Sequence, residues 1–457
     1  MSKLKAVILA AGAGTRMVSE IPKVLHKVLD RSMLVYVIEA AKEAGAEEVC
    51  VVVGHKAETV INETPCEVEF VEQKEQLGTG HAVMQADKFI GDEGNVLILF
   101  GDTPLITGNT LKGMVDYHNT NGNSVTVLST LVSNPEGYGR IIRDNNNTFI
   151  KSIEHKDATL EELKVNEINS GMYCFDAAVL KEALKTITPH NAQGEYYLPD
   201  AVLYVIEKKL KADALIIDSY EEIIGVNSRV QLAEVSKIMQ KRINEQHMLS
   251  GVTMINPEQA YIGKDVVIGM DTVIYPNSFL EGKTSIGVNC TIGPNAKLIS
   301  SVVNDYSTID QSTVIKSSIG EHTNVGPYAY VRPDCTIGDH VKIGDFVEIK
   351  NAMIGNNTKV SHLTYIGDAD VGEYVNFGCG TVVVNYDGVH KHRTSIKDYA
   401  FIGCNTNLIS PVNVEEKAYT AAGSTITKDV PAYSLGIARA QQVNIEDWVK
   451  RKRNKPF

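Results

Sequence analysis

Residues 282–299 read "GKTSIGVNCTIGPNAKLI". Ile286, Ile292 and Leu298 stand six apart, and glycine follows the first two. The same spacing runs back through Leu280, Ile274 and Ile268 to Ile262, and it returns at Ile319, Val325, Val331, Ile337, Ile343 and Ile349. A period of six matches neither the 3.6 of an amphipathic helix nor the two of a hairpin meander. It matches a parallel β-helix, with one short strand per hexad and each aliphatic directed inward at a corner of a triangular coil. The spacing shortens to five between Ile349 and Ile354 and between Ile366 and Val371, and "VNYDGVHKHRT" (384–394) interrupts it. Interruptions of a solenoid are where function concentrates.

Upstream the pattern changes. "AVILA" (6–10), "EVCVVVG" (48–54), "VLILFGD" (96–102) and "SVTVLST" (124–130) read as strands, and "MLVYVIEAAKEAG" (33–45) and "GTGHAVMQADKFI" (78–90) as helices. This alternation predicts a mostly parallel sheet with helices on both faces, whose ligands sit at the carboxyl ends of the strands. Between the two patterns, 227–251 carries apolar residues at 232, 235, 239 and 243, lacks proline, and offers Asn227 or Ser228 as a cap. That spacing is helical. The expected organisation is an α/β domain over 1–229, a linker helix over 230–250 and an all-β domain over 251–457 with a basic tail.

The 457 residues suffice for two or three domains. A net charge of −12 argues against wrapping nucleic acid. The seven cysteines form no CxxC pair, which points to reduced thiols in a cytoplasmic protein and away from a zinc ribbon. No apolar run is long enough for a membrane span.

"KAVILAAGAGTRMVSEIPKVLH" (5–26) carries the first chemistry. An apolar strand empties into a loop with Gly12 and Gly14. Met17 stands where a dinucleotide fingerprint needs its third glycine, and no GxxxxGK[ST] is present. Backbone N–H groups of such a loop can approach an anion, with Arg16 a fixed bidentate donor and Lys23 a mobile charge. From these residues alone, a phosphate loop and a plain strand-to-helix turn stand equally.

The wider pattern decides between them. LAAGxGTRM followed by PKVLH resembles the sugar nucleotidyltransferases, or nucleoside-diphosphate-sugar pyrophosphorylases. "GDTPL" (101–105) and "GVNSR" (225–229) match that family's metal positions, so the resemblance implies that Asp102 and Asn227 hold Mg²⁺ with phosphate oxygens and water. It places Leu9, Ala10, Ala11, Gly12, Lys23 and Asn227 on UTP or the UDP-sugar, with Arg16 catalytic. "EQLGTGHA" (75–82) resembles the uridine-reading segment, with Gln73, Gly78 and Thr79 around the uracil. "GYGRI", "IEHKDA" and "INSGMY" resemble the sugar-side loops and put Gly139, Glu154 and Asn169 around an N-acetylated hexose.

Three readings of the β-helix compete: a trimer-forming device, a regulatory domain, or the seat of acyl transfer from acetyl-coenzyme A. Arg332 and Lys350 stand just after inward aliphatics, where the repeat favours glycine. "SHLTYIGDA" adds His362 and Tyr365, and the interrupting loop adds Asn385 and Tyr386. A lone histidine in a solenoid is usually a solvated surface residue; in this company it reads as a functional one.

With both halves matched, nearly the whole chain resembles the bacterial family of bifunctional N-acetylglucosamine-1-phosphate uridylyltransferases / glucosamine-1-phosphate N-acetyltransferases. The resemblance implies a Rossmann-like nucleotidyltransferase domain followed by a left-handed parallel β-helix. It implies His362 as general base, with Arg332, Lys350, Tyr365 and Asn376 on glucosamine-1-phosphate. On acetyl-coenzyme A it implies Cys379, Asn385, Tyr386, Cys404, Ala422 and Arg439. N-acetylglucosamine-1-phosphate and UTP would then give UDP-N-acetylglucosamine, a cell-wall precursor, in a cytoplasmic homotrimer joined through the β-helix. The sequence departs from the family pattern at Ala13, where lysine is common, and at Cys379 and Cys404, where alanine and serine are common. The basic end of 439–457 reads either as a solvated tail or as a contact for coenzyme A phosphates, from its own or a neighbouring subunit.

Overall fold

The computed structural model describes residues 3–452. Its contacts divide between Met239 and Gln240 into two units, so the division falls inside the helix Arg229–Leu249. Ser228 Oγ accepts the Gln231 amide at the start of that helix. Val235, Met239 and Ile243 are buried along one stripe, as their spacing predicts.

In the first unit, strand Leu4–Ala10 lies between Glu48–Val53 and Asn95–Phe100, parallel to both. The sheet continues through Glu69–Glu72 on one side. On the other it runs through the antiparallel strand Glu167–Asp176 to Val125–Leu131 and Ala212–Ile217. Alternation along the first strand separates two cores. Ala6, Ile8 and Ala10 join one, packed with Leu34 and Ile38 of the helix Met33–Glu43. Val7 and Leu9 join the other, with Val83, Leu180 and Val202. Burial on both faces is why these strands read as continuous apolar runs. The helix expected over 78–90 is in fact two, Thr79–Gln85 and Asp87–Ile90, meeting at Ala86.

The second unit is a left-handed parallel β-helix. Among the described residues, short strands stack coil upon coil in two ladders, one of 11 strands and one of 17 that wraps the remaining faces. Ile286 pairs laterally with Ile268 and Val303, and each side chain is buried inside the coil. The inward aliphatics lie within the strands. The corners are instead turned by residues at positive φ, among them Asn289, Tyr306, His322 and His340. The expectation that aliphatics occupy corners is therefore corrected: a branched side chain prefers extended backbone, and Asn or an outward aromatic bears the left-handed turn. Strands Glu348–Ile354 and Tyr365–Val371 run seven residues each, continuing around a corner where the spacing falls to five.

All seven cysteines are free thiols. Among the described residues no helix is long and apolar enough to cross a membrane.

Candidate functional sites

In the first unit a cavity of about 310 Å³ opens at the carboxyl ends of the parallel strands. Leu9, Ala10, Ala11, Gly12, Lys23, Gln73, Gly78, Thr79 and Asp102 line it, all expected from sequence. The strand-to-loop breaks place them there: Leu9 and Ala10 end one strand, Gln73 follows another, and Asp102 follows Phe100. The glycines divide the work. A Cβ on Gly14 (φ +61) would come within 2.7 Å of Lys23 Cβ, so Gly14 lets the lysine in. A Cβ on Gly12 would meet nothing within 4 Å; the space it leaves belongs to whatever enters the cavity.

Lys23 Nζ bonds both Asp102 Oδ2 and Asn227 Oδ1, the latter at 3.0 Å. Two oxygens expected to share a cation thus converge on one, supplied here by the chain itself. The described residues hold no cluster of three or more His, Cys, Asp or Glu suited to a metal. Two protein oxygens completed by phosphate and water suit Mg²⁺ better than a softer ion. Arg16 does not line this cavity; it stands exposed on the 3₁₀ turn Thr15–Met17.

Gly139, Glu154 and Asn169 form a neighbouring group. The Asn169 amide donates to Gly139 O at 3.0 Å, and a Cβ on Gly139 would lie 3.7 Å from Glu154 Oε1. Asn169 Nδ2 donates to Ser152 Oγ and Tyr173 Oη at 2.9 and 2.8 Å, which fixes its amide. Burial raises the Glu154 carboxyl above the usual range, and Asp157, Asp200 and Glu195 raise it further. Burial and the same carboxylates push the Tyr197 hydroxyl up to about 12, and among the described residues that buried oxygen has no hydrogen-bond partner. Sequence reasoning missed Gln76, Phe100 and Glu195 in the cavity wall. Gln76 lay within the segment already singled out; Glu195 comes from a distant loop and had no local signal.

In the second unit the coil stacks residues that sequence scatters. Lateral pairing aligns Asp345 with His362. Two residues beyond the pairs Val360/Phe377, Phe377/Ile402 and Ile402/Thr420, the same column carries His362, Cys379, Cys404 and Ala422. The Asn405 amide donates to Cys379 O at 2.8 Å, which holds the two cysteine turns together. His362 Nδ1 lies 2.6 Å from Asp345 Oδ1.

Around the next corner Tyr365 begins the strand that pairs with Glu348 and Lys350. Lys350 aligns with Gly367, so the long cation is followed one coil later by a residue with no side chain. The Tyr365 phenol folds over that gap, touching the place a Gly367 Cβ would occupy. Arg332 pairs with Glu348 at 2.9 Å. Lys350 Nζ lies 3.7 Å from Asp368, whose carboxylate also takes Asn351 Nδ2 at 2.5 Å and Asn385 Nδ2. Burial works to raise Asp368, but those amides and the charges of Lys350 and Lys391 outweigh it and hold the carboxyl low. Lys350 is held below the ordinary lysine range, chiefly by Lys391 beside it and then by burial. Two cations pressed together are relieved by an anion.

The structure therefore puts Asn385 with the Lys350 group and not with the cysteine column. Tyr386 is exposed, bonded to Gly388 O at 2.6 Å. Asn376 stands one strand position before the buried Phe377, and Arg439 is exposed beyond the last strand. Of the basic tail, 453–457 lies outside the described residues. Asp345 and Asp368 were missed. Asp345 sits 17 residues before His362, one coil back, so the repeat length held the signal.

Residues 5–221 match the model for nucleotidyl transferases, and residues 316–351 match that for the bacterial transferase hexapeptide (six repeats). Proteins named bifunctional protein GlmU are similar along almost all of the chain. That of Clostridium tetani is 55% identical over 98% of this chain and 99% of its own. That of Caldanaerobacter subterraneus subsp. tengcongensis is 54% identical over 99% of each. A solved UDP-glucose pyrophosphorylase complexed with UDP-glucose shares 22% identity over 53% of this chain and 100% of that one, at a TM-score of 0.45, a likeness too slight to bear on function. At this identity over this length, with a nucleotidyl transferase half followed by hexapeptide repeats, the chain belongs to the bifunctional GlmU family.

Proposed function

We propose that the chain makes UDP-N-acetylglucosamine in two steps. The β-helix acetylates glucosamine-1-phosphate with acetyl-coenzyme A. The first unit then joins the product to UTP and releases pyrophosphate. The observation that supports this reading is that one chain carries two such groups: Lys23, Asp102 and Asn227 converge at the strand-end cavity, and His362, Tyr365, Lys350 and Arg332 follow one another along the outer surface of the β-helix.

In the acetyl transfer, Lys350, Lys391 and Arg332 hold the sugar phosphate, and the phenol of Tyr365 closes over Gly367 to seat the ring. The Asp345 contact leaves His362 Nε2 free to take the proton from the sugar ammonium. The amine attacks the thioester carbon, the C–S bond breaks, and the thiolate leaves with the proton. No covalent enzyme intermediate is needed. Cys379, Cys404 and Ala422, with Tyr386 and Arg439, bind the coenzyme, while Asn385 orders the Lys350 group through Asp368.

In the uridylyl transfer, the Gly12 loop cradles the triphosphate and Gln73, Gly78 and Thr79 hold the uracil. Gly139, Glu154 and Asn169 hold the N-acetylated sugar. Lys23 neutralises charge at the α-phosphorus from inside the cavity, and Arg16, exposed on the turn after the glycine loop, reaches the phosphates from outside it, while the sugar phosphate oxygen attacks in line. Mg²⁺ bound by Asp102 and Asn227 would add Lewis-acid stabilisation of the phosphate oxygens. The protein works in the cytoplasm as a homotrimer built on the β-helix, and its product feeds cell-wall synthesis.

The test is a coupled assay with glucosamine-1-phosphate, acetyl-coenzyme A and UTP, omitting one substrate at a time. UDP-N-acetylglucosamine should form only with all three. Supplying N-acetylglucosamine-1-phosphate should remove the need for acetyl-coenzyme A. Activity in the second half alone would leave the β-helix a structural or regulatory domain.

A further inference from the structure

We propose that Asp345 is the positioning residue of acetyl transfer: its carboxylate fixes the tautomer and orientation of His362, so that Nε2 faces the sugar amine as a base. The inference rests on the reading of His362 given above. Three observations carry it. The Nδ1···Oδ1 distance of 2.6 Å is a direct hydrogen-bond contact, a little inside the roughly 2.7–2.9 Å usual for a nitrogen donating to a carboxylate. The two residues are lateral partners in the coil ladder, so backbone pairing holds them in register. The Leu363 amide donates to Asp345 O at 2.9 Å, which locks the chain on the far side of the histidine.

The geometry has a chemical consequence. A carboxylate only accepts, so the proton of the neutral imidazole sits on Nδ1 and the lone pair on Nε2. When Nε2 takes the proton from the attacking amine, the carboxylate lies against the new imidazolium. The proton then passes to the departing thiolate, the C–N bond forms, the C–S bond breaks, and both side chains return to their starting state. Other ionisable groups on the packed strands are Lys342 beside Asp345, Lys359 on the histidine's own strand, and Cys379 one coil on. The contact is exposed on both sides, at 56% for the imidazole and 38% for the carboxylate. Its role is therefore orientation at the surface where substrate docks, and it carries little of the fold.

The experiment compares Asp345→Ala, Asp345→Asn and His362→Ala in the full chain, reading kcat and KM for both half-reactions, the unfolding midpoint, and the ¹⁵N shifts of the His362 ring. Asp345→Ala should lower kcat of acetyl transfer by about 10- to 100-fold, the usual cost of losing the group that orients a working imidazole. KM for both substrates, uridylyl transfer and the unfolding midpoint should stay as they are. The ring nitrogens should move from one defined tautomer to a mixture. Asp345→Asn keeps an acceptor oxygen, so it should retain the tautomer and recover part of the rate. A rise in KM for glucosamine-1-phosphate with kcat intact would make Asp345 a substrate ligand and overturn the proposal. So would an unchanged rate and ring spectrum in Asp345→Ala. If His362→Ala itself keeps acetyl transfer, the reading of the base has failed, and that result is separate from either of these.

Discussion

Gly367→Ala isolates the sugar-phosphate site by adding one methyl group. The glycine is buried inside the strand Tyr365–Val371 and does not have a positive φ, so alanine suits its backbone. The added Cβ would lie 2.6 Å from Tyr365 Cζ and 2.8 Å from Asn385 Nδ2, and against the phenol oxygen. Ordinary contact begins at 3.4 Å, so the ring must retreat by at least about 0.8 Å, and the nearer phenol oxygen by more. The Tyr365 phenol is the end of a half-exposed side chain and can give way, but Asn385 is buried and bonded to Asp368, so the fold should lose about 1–3 kcal/mol. Catalysis has no such freedom, because a misplacement of about 1 Å in a positioning group costs on the order of 10²-fold. The expected result is a 10- to 100-fold fall in kcat/KM for glucosamine-1-phosphate, mostly through KM, since a holding group is lost and the base is kept. Uridylyl transfer in the same preparation should be unchanged and serves as the internal control. Normal acetylation kinetics in a folded variant would refute the claim that Tyr365 seats the sugar over this gap. A matching fall in both activities would point to a folding defect.

Asp102→Ala removes the carboxylate that meets Lys23 and is proposed to hold Mg²⁺; uridylyl transfer should drop roughly 10²- to 10³-fold while acetylation continues, and near-normal uridylyl rates would dismiss the site. Burial lowers the His118 imidazole to about 4, so the unfolded chain binds its proton more tightly and stability falls as pH drops from 6.5 towards 4. Between pH 7 and pH 5 that group's share of the loss should be about 2 kcal/mol by denaturant unfolding, and His118→Gln should remove that share while leaving those of His26 and His247, which burial also lowers. A chain ending at Met239 keeps Arg229, which bonds Met17 O and His26, so it should retain uridylyl transfer as a monomer while the full chain is a trimer; light scattering of both decides it.

The hexad series announced the β-helix because each coil repeats one steric demand, an aliphatic buried between glycines and turn residues, and repetition survives any ignorance of tertiary contacts. The loop after Ala10 was legible only in part: Gly12, Gly14 and Lys23 lie close together in sequence, but by themselves they left a phosphate loop and a plain turn equal, and the wider resemblance decided between them. What sequence left undecided lay in contacts between distant residues. Lys23 meets Asn227 across 204 positions, and Glu195 reaches a cavity whose floor is set by the first strand. Nothing local to Glu195 foretells that. Asp345 meets His362 for a different reason: the pairing is set by coil length, and a single residue more or less in that turn would send the carboxylate elsewhere. The inward residues obey a pattern that reads from one strand alone; the outward ones acquire their neighbours only when coils stack at a fixed register. The sequence determined which residue types were available for each reaction. Stacking and strand order decided which of them touch, because contacts between distant residues exist only once the backbone hydrogen bonds have set the register.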